Sequence, residues 1–226
     1  MGKGLKLGGV CGIMMSVKYF DKMRKVEKMK KERFEWVKVW CDEAHLDDLP
    51  RVLLVGDSIT EGYQGFVRES LREVCYVDFI ATSYAVDNKL YHTLVEGLVK
   101  NSRYDLVHFN HGLHGIHMSP RTYKSKVRKI CEKIRAESKL VLAESSVVYT
   151  EGNKRLHREW KKRLAERNAV LAELATEFDC PLDRLFAVSE AIPKESRSRD
   201  GVHYLESGYK EFAAEVVKCV RSALKI

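Results

Sequence analysis

From residue 51 onward, short apolar runs alternate with longer segments in which apolar residues recur every three or four positions. The apolar runs are rich in valine, isoleucine and leucine and predict five strands, at 51–55, 77–81, 106–109, 140–143 and, more briefly, 182–188. The amphipathic segments predict helices at 62–74, 88–102, 120–137, 154–178 and 206–224. Because near-continuous apolar strands that alternate with helices are typical of a parallel sheet covered on both faces, the pattern predicts a three-layer α/β/α fold with a five-stranded, mainly parallel sheet.

The N-terminal region has a different pattern. In residues 18–46 many lysines and arginines surround apolar residues spaced three or four apart, which predicts an amphipathic basic helix whose apolar face docks on the body: Tyr19, Met23, Val26, Met29, Phe34, Val37 and Trp40. Pro50 ends this pattern. Residues 1–17 hold glycines and a weak apolar stretch, and we expect an extended leader there. The predicted organisation is a leader and basic helix over 1–49, followed by one domain over 50–226.

The overall composition fits a soluble globular protein. Hydrophobic residues make up 45% of the chain and charged residues 32%. The net charge of +8 tolerates acidic partners but identifies no ligand. No recognised nucleic-acid-binding module is visible, and no apolar run approaches the length of a membrane-spanning helix. We therefore expect neither a nucleic-acid partner nor stable membrane insertion.

The cysteines bear on the cellular compartment. All six are scattered without a C-x-x-C pair or a cysteine–histidine ligand spacing, so we expect reduced thiols and no structural metal. Reduced thiols favour a cytoplasmic location. The apolar stretch at 7–15 resembles a poor secretion signal, which leaves export open.

Three groups of polar residues lie where ligand sites form in such folds, beyond the carboxyl ends of strands or just before a helix. The first is Gly-Asp-Ser-Ile-Thr-Glu-Gly at 56–62, the second is Asn-His-Gly-Leu-His at 110–114, and the third is Asp-Gly-Val-His at 200–203. A serine hydroxyl is a poor nucleophile without an adjacent base, which His203 can supply to Ser58. Asp200 lies three residues before His203 and can orient its imidazole. The sequence thus predicts a catalytic Ser58, Asp200 and His203.

Together these motifs resemble the SGNH (GDSL-type) hydrolase superfamily, and the resemblance covers about residues 51–226. It implies a flavodoxin-like sheet and hydrolysis of a carboxylic ester through an acyl-enzyme on Ser58, with neither a metal nor an organic cofactor. It also implies an oxyanion hole formed by the backbone N–H of Ser58, a backbone N–H after the second strand and the side-chain amide of Asn110.

The chain departs from the family pattern at two places. The family usually has a glycine after the second strand, whereas residues 81–87 contain none. A backbone N–H does not require glycine, and we predict Tyr84 as the donor there, with a neighbouring residue as the alternative. The usual Gly-x-Asn-Asp is replaced by a sequence in which Asn110 is followed by His111. We predict that Asp57, His111 and His114 contribute to substrate binding. For His114 the alternative is a histidine that only satisfies loop carbonyls.

Histidines and arginines near the predicted site favour a polar substrate. The lysine and arginines of loop 194–199 are expected to be solvated, and the alternative is that they contact a polar or anionic substrate. The expected substrate is a small-molecule or carbohydrate ester with a small acyl group such as acetyl. The alternative is a catalytically silent SGNH-fold protein that binds carbohydrate or acts as a scaffold. The missing glycine favours this alternative, while the intact Ser58, Asp200 and His203 oppose it.

Overall fold

The computed structural model describes residues 33–226. Its strands are β1 (Val37–Trp40), β2 (Arg51–Gly56), β3 (Tyr76–Thr82), β4 (Leu106–Asn110), β5 (Lys139–Ala143) and β6 (Leu182–Asp183). Its helices are α1 (Ser58–Leu71), α2 (Lys89–Asn101), α3 (Pro120–Arg135), α4 (Arg158–Glu177), α5 (Leu185–Ala191) and α6 (Glu206–Leu224). The strands form one sheet in the order β1-β3-β2-β4-β5-β6, in which the β1–β3 pair is antiparallel and the other pairs are parallel.

Two apolar cores cover the two faces of this sheet. Successive residues of β2 point to opposite faces, so Leu54 packs in one core and Leu53 in the other. Helices α1 and α6 cover the first face, where Tyr63 stacks on Phe212 with ring centroids 6.2 Å apart. Helices α2, α3 and α4 cover the second face. The predicted three-layer α/β/α architecture is confirmed, with one strand more than expected.

The additional strand corrects the helix predicted over 18–46. Residues Val37–Trp40 pair antiparallel with β3, with Val37 opposite Thr82 and Trp40 opposite Phe79. Valine and tryptophan fit a pleated strand, and pairing with the open edge of β3 outweighs the weak helical spacing of the apolar residues. The sheet therefore begins before residue 50, where we predicted the start of the domain. The rest of the predicted helix, 18–32, and the predicted leader lie outside the described residues.

The strand predicted over 182–188 is also shorter than expected. Only Leu182–Asp183 pairs with β5, and Leu185–Ala191 forms helix α5. Within α5 the buried residues are Leu185 and Ser189, four positions apart, as expected for one face of a helix. A short apolar run does not distinguish a strand from a buried helix by its periodicity, which explains the error.

The parallel arrangement gathers the carboxyl ends of the central strands at one edge. Gly56 at the end of β2 lies opposite Ala81 of β3 on one side and Asn110 of β4 on the other. The segments that follow these strands therefore lie next to one another, as the motif positions require. Among the described residues, no helix is both long and apolar enough to cross a membrane.

Candidate active site

The turn from β2 into α1 positions Ser58. Asp57 caps the helix, since its Oδ1 accepts a hydrogen bond from the N–H of Ile59 at 3.0 Å, and Ser58 is the first helical residue. Gly56 is required at the end of the strand, because a Cβ there would lie 2.5 Å from the carbonyl oxygen of Asn110. Ser58 is thus held at the positive end of the helix, next to the end of β4.

The structure brings together the three residues predicted to be catalytic. Ser58 Oγ lies 2.8 Å from Nε2 of His203, and Nδ1 of His203 lies 2.7 Å from Oδ2 of Asp200. When Nδ1 carries the ring proton, it donates a hydrogen bond to the carboxylate of Asp200. Nε2 is then unprotonated and can accept the proton of Ser58. This continuous chain of hydrogen bonds is the arrangement that activates a serine.

A tight loop presents the acid and the base. Oδ1 of Asp200 accepts the N–H groups of Val202 at 2.8 Å and His203 at 2.9 Å. Gly201 between them has a φ of +79°, and a Cβ there would lie 2.4 Å from the carbonyl oxygen of Tyr149. Glycine therefore fits this turn where other residues would be strained.

Asp200 remains a carboxylate in this loop. Partial burial by itself would raise its pKa, but the hydrogen bonds from His203 and from the N–H of Val202 outweigh burial and lower the pKa below its ordinary value. The side chains of His203 and Asp200 are 41% and 48% exposed, so substrate can reach the acid–base pair from solvent.

Asn110 is buried at the end of β4 with its amide oriented by two contacts. Its Nδ2 donates to the carbonyl oxygen of Glu144 at 2.8 Å, and its Oδ1 accepts a long contact from the hydroxyl of Thr60 at 3.5 Å. A side-chain amide has two N–H groups, and one of them donates to the carbonyl oxygen of Glu144. The second can serve the oxyanion, as the sequence predicts.

The structure does not support Tyr84 as the backbone donor. Its N–H donates to Oγ1 of Thr82 at 3.0 Å, and its carbonyl oxygen lies 2.8 Å from Nε2 of His111. A threonine hydroxyl two residues earlier in the chain competes well for such an N–H. This N–H therefore already has an acceptor within the fold, which corrects the predicted assignment.

Two of the three predicted substrate-binding residues lie beneath the site. Asp57 is 2% exposed and His111 is 0% exposed. Asp57 Oδ1 accepts the N–H of Ile59 and His111 Nε2 contacts the carbonyl oxygen of Tyr84, so both side chains already have partners within the fold. Burial lowers the pKa of His111 to about 4, and its ring stacks on Tyr91 with centroids 4.8 Å apart. His114 is only partly buried and stacks on His111 at 5.7 Å. Of the three, it keeps a position from which it could contact substrate.

Two residues of α4 that sequence reasoning missed hold the loops after β4 and β5. Arg167 is 4% exposed and donates to the carbonyl oxygens of Gly112, His114 and Gly115. Its guanidinium lies 4.6 Å from the ring centroid of Tyr123. Asn168 accepts the N–H of Ser145 at 2.9 Å and donates to its carbonyl oxygen at 3.2 Å.

A weak signal for Arg167 exists in the sequence. It lies three residues after Leu164 and four before Leu171, on the apolar face of α4, whereas a solvated arginine would lie on the opposite face.

One arginine of loop 194–199 has a structural role. Arg197 donates to the carbonyl oxygens of Glu190 and Ile192, and its guanidinium lies 3.9 Å from the ring centroid of Tyr149. The side chain of Arg197 therefore stabilises its own loop. Across the described residues, no cluster of histidine, cysteine and acidic side chains suits a metal ion.

Replacing Asn110 with alanine should lower kcat by roughly 10²–10³ while changing KM little, because an oxyanion donor meets its partner best in the transition state. Steady-state kinetics on a small activated ester measure this effect. Asn88→Ala is the matched control, since Asn88 caps α2 through the N–H of Leu90 at 2.8 Å. It should lower stability but not kcat. A change confined to KM in Asn110→Ala would make this residue a substrate contact instead.

Several solved structures share this fold. A candidate SGNH hydrolase from Slackia heliotrinireducens is 21% identical, with a TM-score of 0.62 over 76% of this chain and 100% of that chain. A lipase/acylhydrolase from Enterococcus faecalis is 18% identical, with a TM-score of 0.61 over 77% of this chain and 96% of that chain. Axe2, an acetylxylan esterase from Geobacillus stearothermophilus, is 16% identical, with a TM-score of 0.62 over 76% of this chain and 94% of that chain.

No protein-family model matches the sequence, and neither does any curated protein. At these identities the likeness to solved structures concerns the fold. The fold implied by the three sequence motifs is confirmed: the chain has the fold of the SGNH hydrolase superfamily.

Proposed function

We propose that this protein is a serine esterase that hydrolyses a carboxylic ester through an acyl-enzyme on Ser58. The observation that carries the proposal is the unbroken hydrogen-bond chain from Asp200 through His203 to Ser58, with its distances of 2.7 and 2.8 Å. Both distances are those of hydrogen bonds ready for proton transfer. The ester hydrolases and acylhydrolases that share the fold support the same class of reaction.

In the first half-reaction Ser58 Oγ attacks the ester carbonyl carbon, and its proton moves to Nε2 of His203. The tetrahedral intermediate then collapses, the bond to the alcohol oxygen breaks, and His203 returns the proton to that oxygen. In the second half a water molecule gives a proton to Nε2 of His203 and attacks the acyl carbonyl carbon. The bond from that carbon to Ser58 Oγ then breaks, His203 returns the proton to Oγ, and the acid leaves. Asp200 stabilises the imidazolium that forms in each half.

The negative charge on the intermediate needs donors beside Ser58. The N–H of Ser58 lies in the first turn of α1, where the partial positive charge of the helix adds to the hydrogen bond. The second N–H of the Asn110 amide is the side-chain donor. Both come from rigid elements, the start of a helix and the end of a central strand, which favours a preorganised site.

For the substrate we propose a small acyl group such as acetyl on a polar, carbohydrate-like alcohol. The half-exposed His203 and Asp200 support an open site that admits a hydrophilic alcohol. Tyr84 and His114, both partly buried, follow the neighbouring strands and offer an aromatic ring and an imidazole to a sugar. The fold shared with an acetylxylan esterase agrees with this choice.

An ester panel tests the proposal on the full chain. Acetate release from acetylated xylo-oligosaccharides and hydrolysis of p-nitrophenyl esters with increasing acyl length should be compared with Ser58→Ala. We expect Ser58-dependent turnover that falls as the acyl chain lengthens. A preference for long acyl chains would contradict the small-acyl proposal, and turnover that persists in Ser58→Ala would contradict the mechanism.

One observation favours the silent carbohydrate-binding alternative: the N–H of Tyr84 is bonded within the fold. Such a protein would bind oligosaccharides in an equilibrium titration and release no acetate from any ester. The same panel therefore separates the two functions.

A further inference from the structure

The contact between β1 and β3 continues beyond the ends of both strands. Residues 35 and 36, before β1, contact the start of the loop that follows β3 at Ser83. The N–H of Trp36 donates to Oγ of Ser83 at 2.9 Å, and Ser83 Oγ donates in turn to Oε2 of Glu35 at 2.8 Å. The carbonyl oxygen of Trp36 accepts the N–H of Ser83 at 3.2 Å and the hydroxyl of Thr82 at 2.6 Å. The segment before β1 is thus hydrogen-bonded to Thr82, the last residue of β3, and to Ser83, the first residue of the following loop.

The hydroxyl of Thr82 joins this contact to the next peptide group. It has one hydrogen, which it gives to Trp36, and its oxygen accepts the N–H of Tyr84 at 3.0 Å. Thr82 is fully buried, so water does not compete for these bonds. Trp36 therefore decides where the oxygen of Thr82 points, and that oxygen fixes the peptide between Ser83 and Tyr84.

The following peptide is fixed from the opposite side. The carbonyl oxygen of Tyr84 lies 2.8 Å from Nε2 of the buried His111. In a planar trans peptide the N–H points opposite to the carbonyl, so the N–H of Ala85 points away from His111. Ala81 pairs with Gly56, which brings this loop level with Ser58.

We propose that Thr82 is a positioning residue for oxyanion stabilisation, set by the carbonyl of Trp36, and that the loop presents the N–H of Ala85 to the oxyanion. This proposal rests on the proposed esterase function. It replaces the Tyr84 donor, whose N–H serves to hold the loop. It also gives the residue that precedes β1 a role in catalysis.

Removing the Thr82 hydroxyl should impair the transition state more than substrate binding. Without it the N–H of Tyr84 loses its acceptor, and the peptide that carries the Ala85 N–H is held only at His111. A misplaced oxyanion donor costs transition-state energy, so we expect Thr82→Val to lower kcat by about tenfold or more with KM little changed.

The test uses the full chain with Thr82→Val, the rescue variant Thr82→Ser and the control Ser189→Ala. The control removes a similar buried hydroxyl: Ser189 Oγ accepts the N–H of Val147 at 3.0 Å and donates to the carbonyl oxygen of Phe186 at 2.6 Å. For each variant, kcat and KM on p-nitrophenyl acetate, the rate of phosphonylation by a fluorophosphonate, and the melting temperature are measured.

We expect kcat and the phosphonylation rate to fall together in Thr82→Val and to recover in Thr82→Ser, while Ser189→Ala loses stability without losing kcat. If Thr82→Val does not fold, Ser83→Ala, which removes the acceptor of the Trp36 N–H, should lower kcat in the same way.

The proposal is overturned by wild-type kcat in the folded variant, by an effect on KM alone, or by an equal loss of kcat in Ser189→Ala. Wild-type protein without turnover or labelling would overturn the esterase function, and this proposal with it. Wild-type turnover together with an unaffected Thr82→Val would overturn this proposal only.

Discussion

Ser58→Ala should lower kcat on a good ester by a factor on the order of 10⁶ and leave the fold intact. The variant deletes the hydroxyl that forms the acyl-enzyme. It does not remove the cap of α1, because Asp57 supplies that contact. Ser58 is partly exposed, so its loss opens no cavity in the core. Steady-state kinetics measure the loss of kcat, and circular dichroism with a melting curve shows whether the fold is intact.

His203→Ala should be similarly severe, and the double variant with Ser58→Ala little worse than either single one. The reason is that nucleophile and base act as one unit, so the second substitution removes nothing that still functions. Effects that multiply in the double variant would show that Ser58 and His203 act independently, against the hydrogen bond that joins them.

The second large effect is expected for Asp200→Asn, with a loss of kcat of about 10⁴ at neutral pH. The asparagine Oδ1 can still accept the N–H groups of Val202 and His203, which directs its NH₂ group toward Nδ1 of His203. That ring nitrogen must then become the acceptor and Nε2 the proton carrier. In this tautomer the imidazole cannot take the proton of Ser58.

The matched control for Asp200→Asn is Asp87→Asn. Asp87 Oδ2 lies 3.0 Å from Nε2 of His117, so this control also breaks an aspartate–histidine pair, but one outside the triad. The control should keep kcat near that of the wild type. Equal losses in the two variants would mean that Asp200 contributes stability and not tautomer control.

Much of the fold follows from local sequence pattern. Strands β2 to β5 are buried on both faces, so each appears as an apolar run between amphipathic helices, and their predicted positions agree with the structure within a few residues. Ser58 is identified by the short motif that follows β2. Asp200 and His203 are identified by a second motif, in which they lie three residues, or about one turn of backbone, apart. Such features depend on neighbours in the chain.

The features that were missed depend on partners far away in the chain. β1 forms because β3 has an unpaired edge, and the local sequence pattern at 37–40 does not predict that pairing. The N–H of Tyr84 is lost to Thr82, whose hydroxyl is itself oriented by Trp36, 46 residues earlier. Arg167 is buried by loop carbonyls 52 to 55 residues away in sequence.

The central claim is that His203 and Asp200 activate Ser58 as a nucleophile, and labelling by a fluorophosphonate tests it most directly. The full chain is treated with the probe, and intact mass and peptide mapping locate the adduct. The account predicts one adduct on Ser58, formed at full rate in Asn88→Ala and absent in Ser58→Ala and His203→Ala. A folded wild-type chain that takes up no label, or takes it up on another residue, would contradict the account.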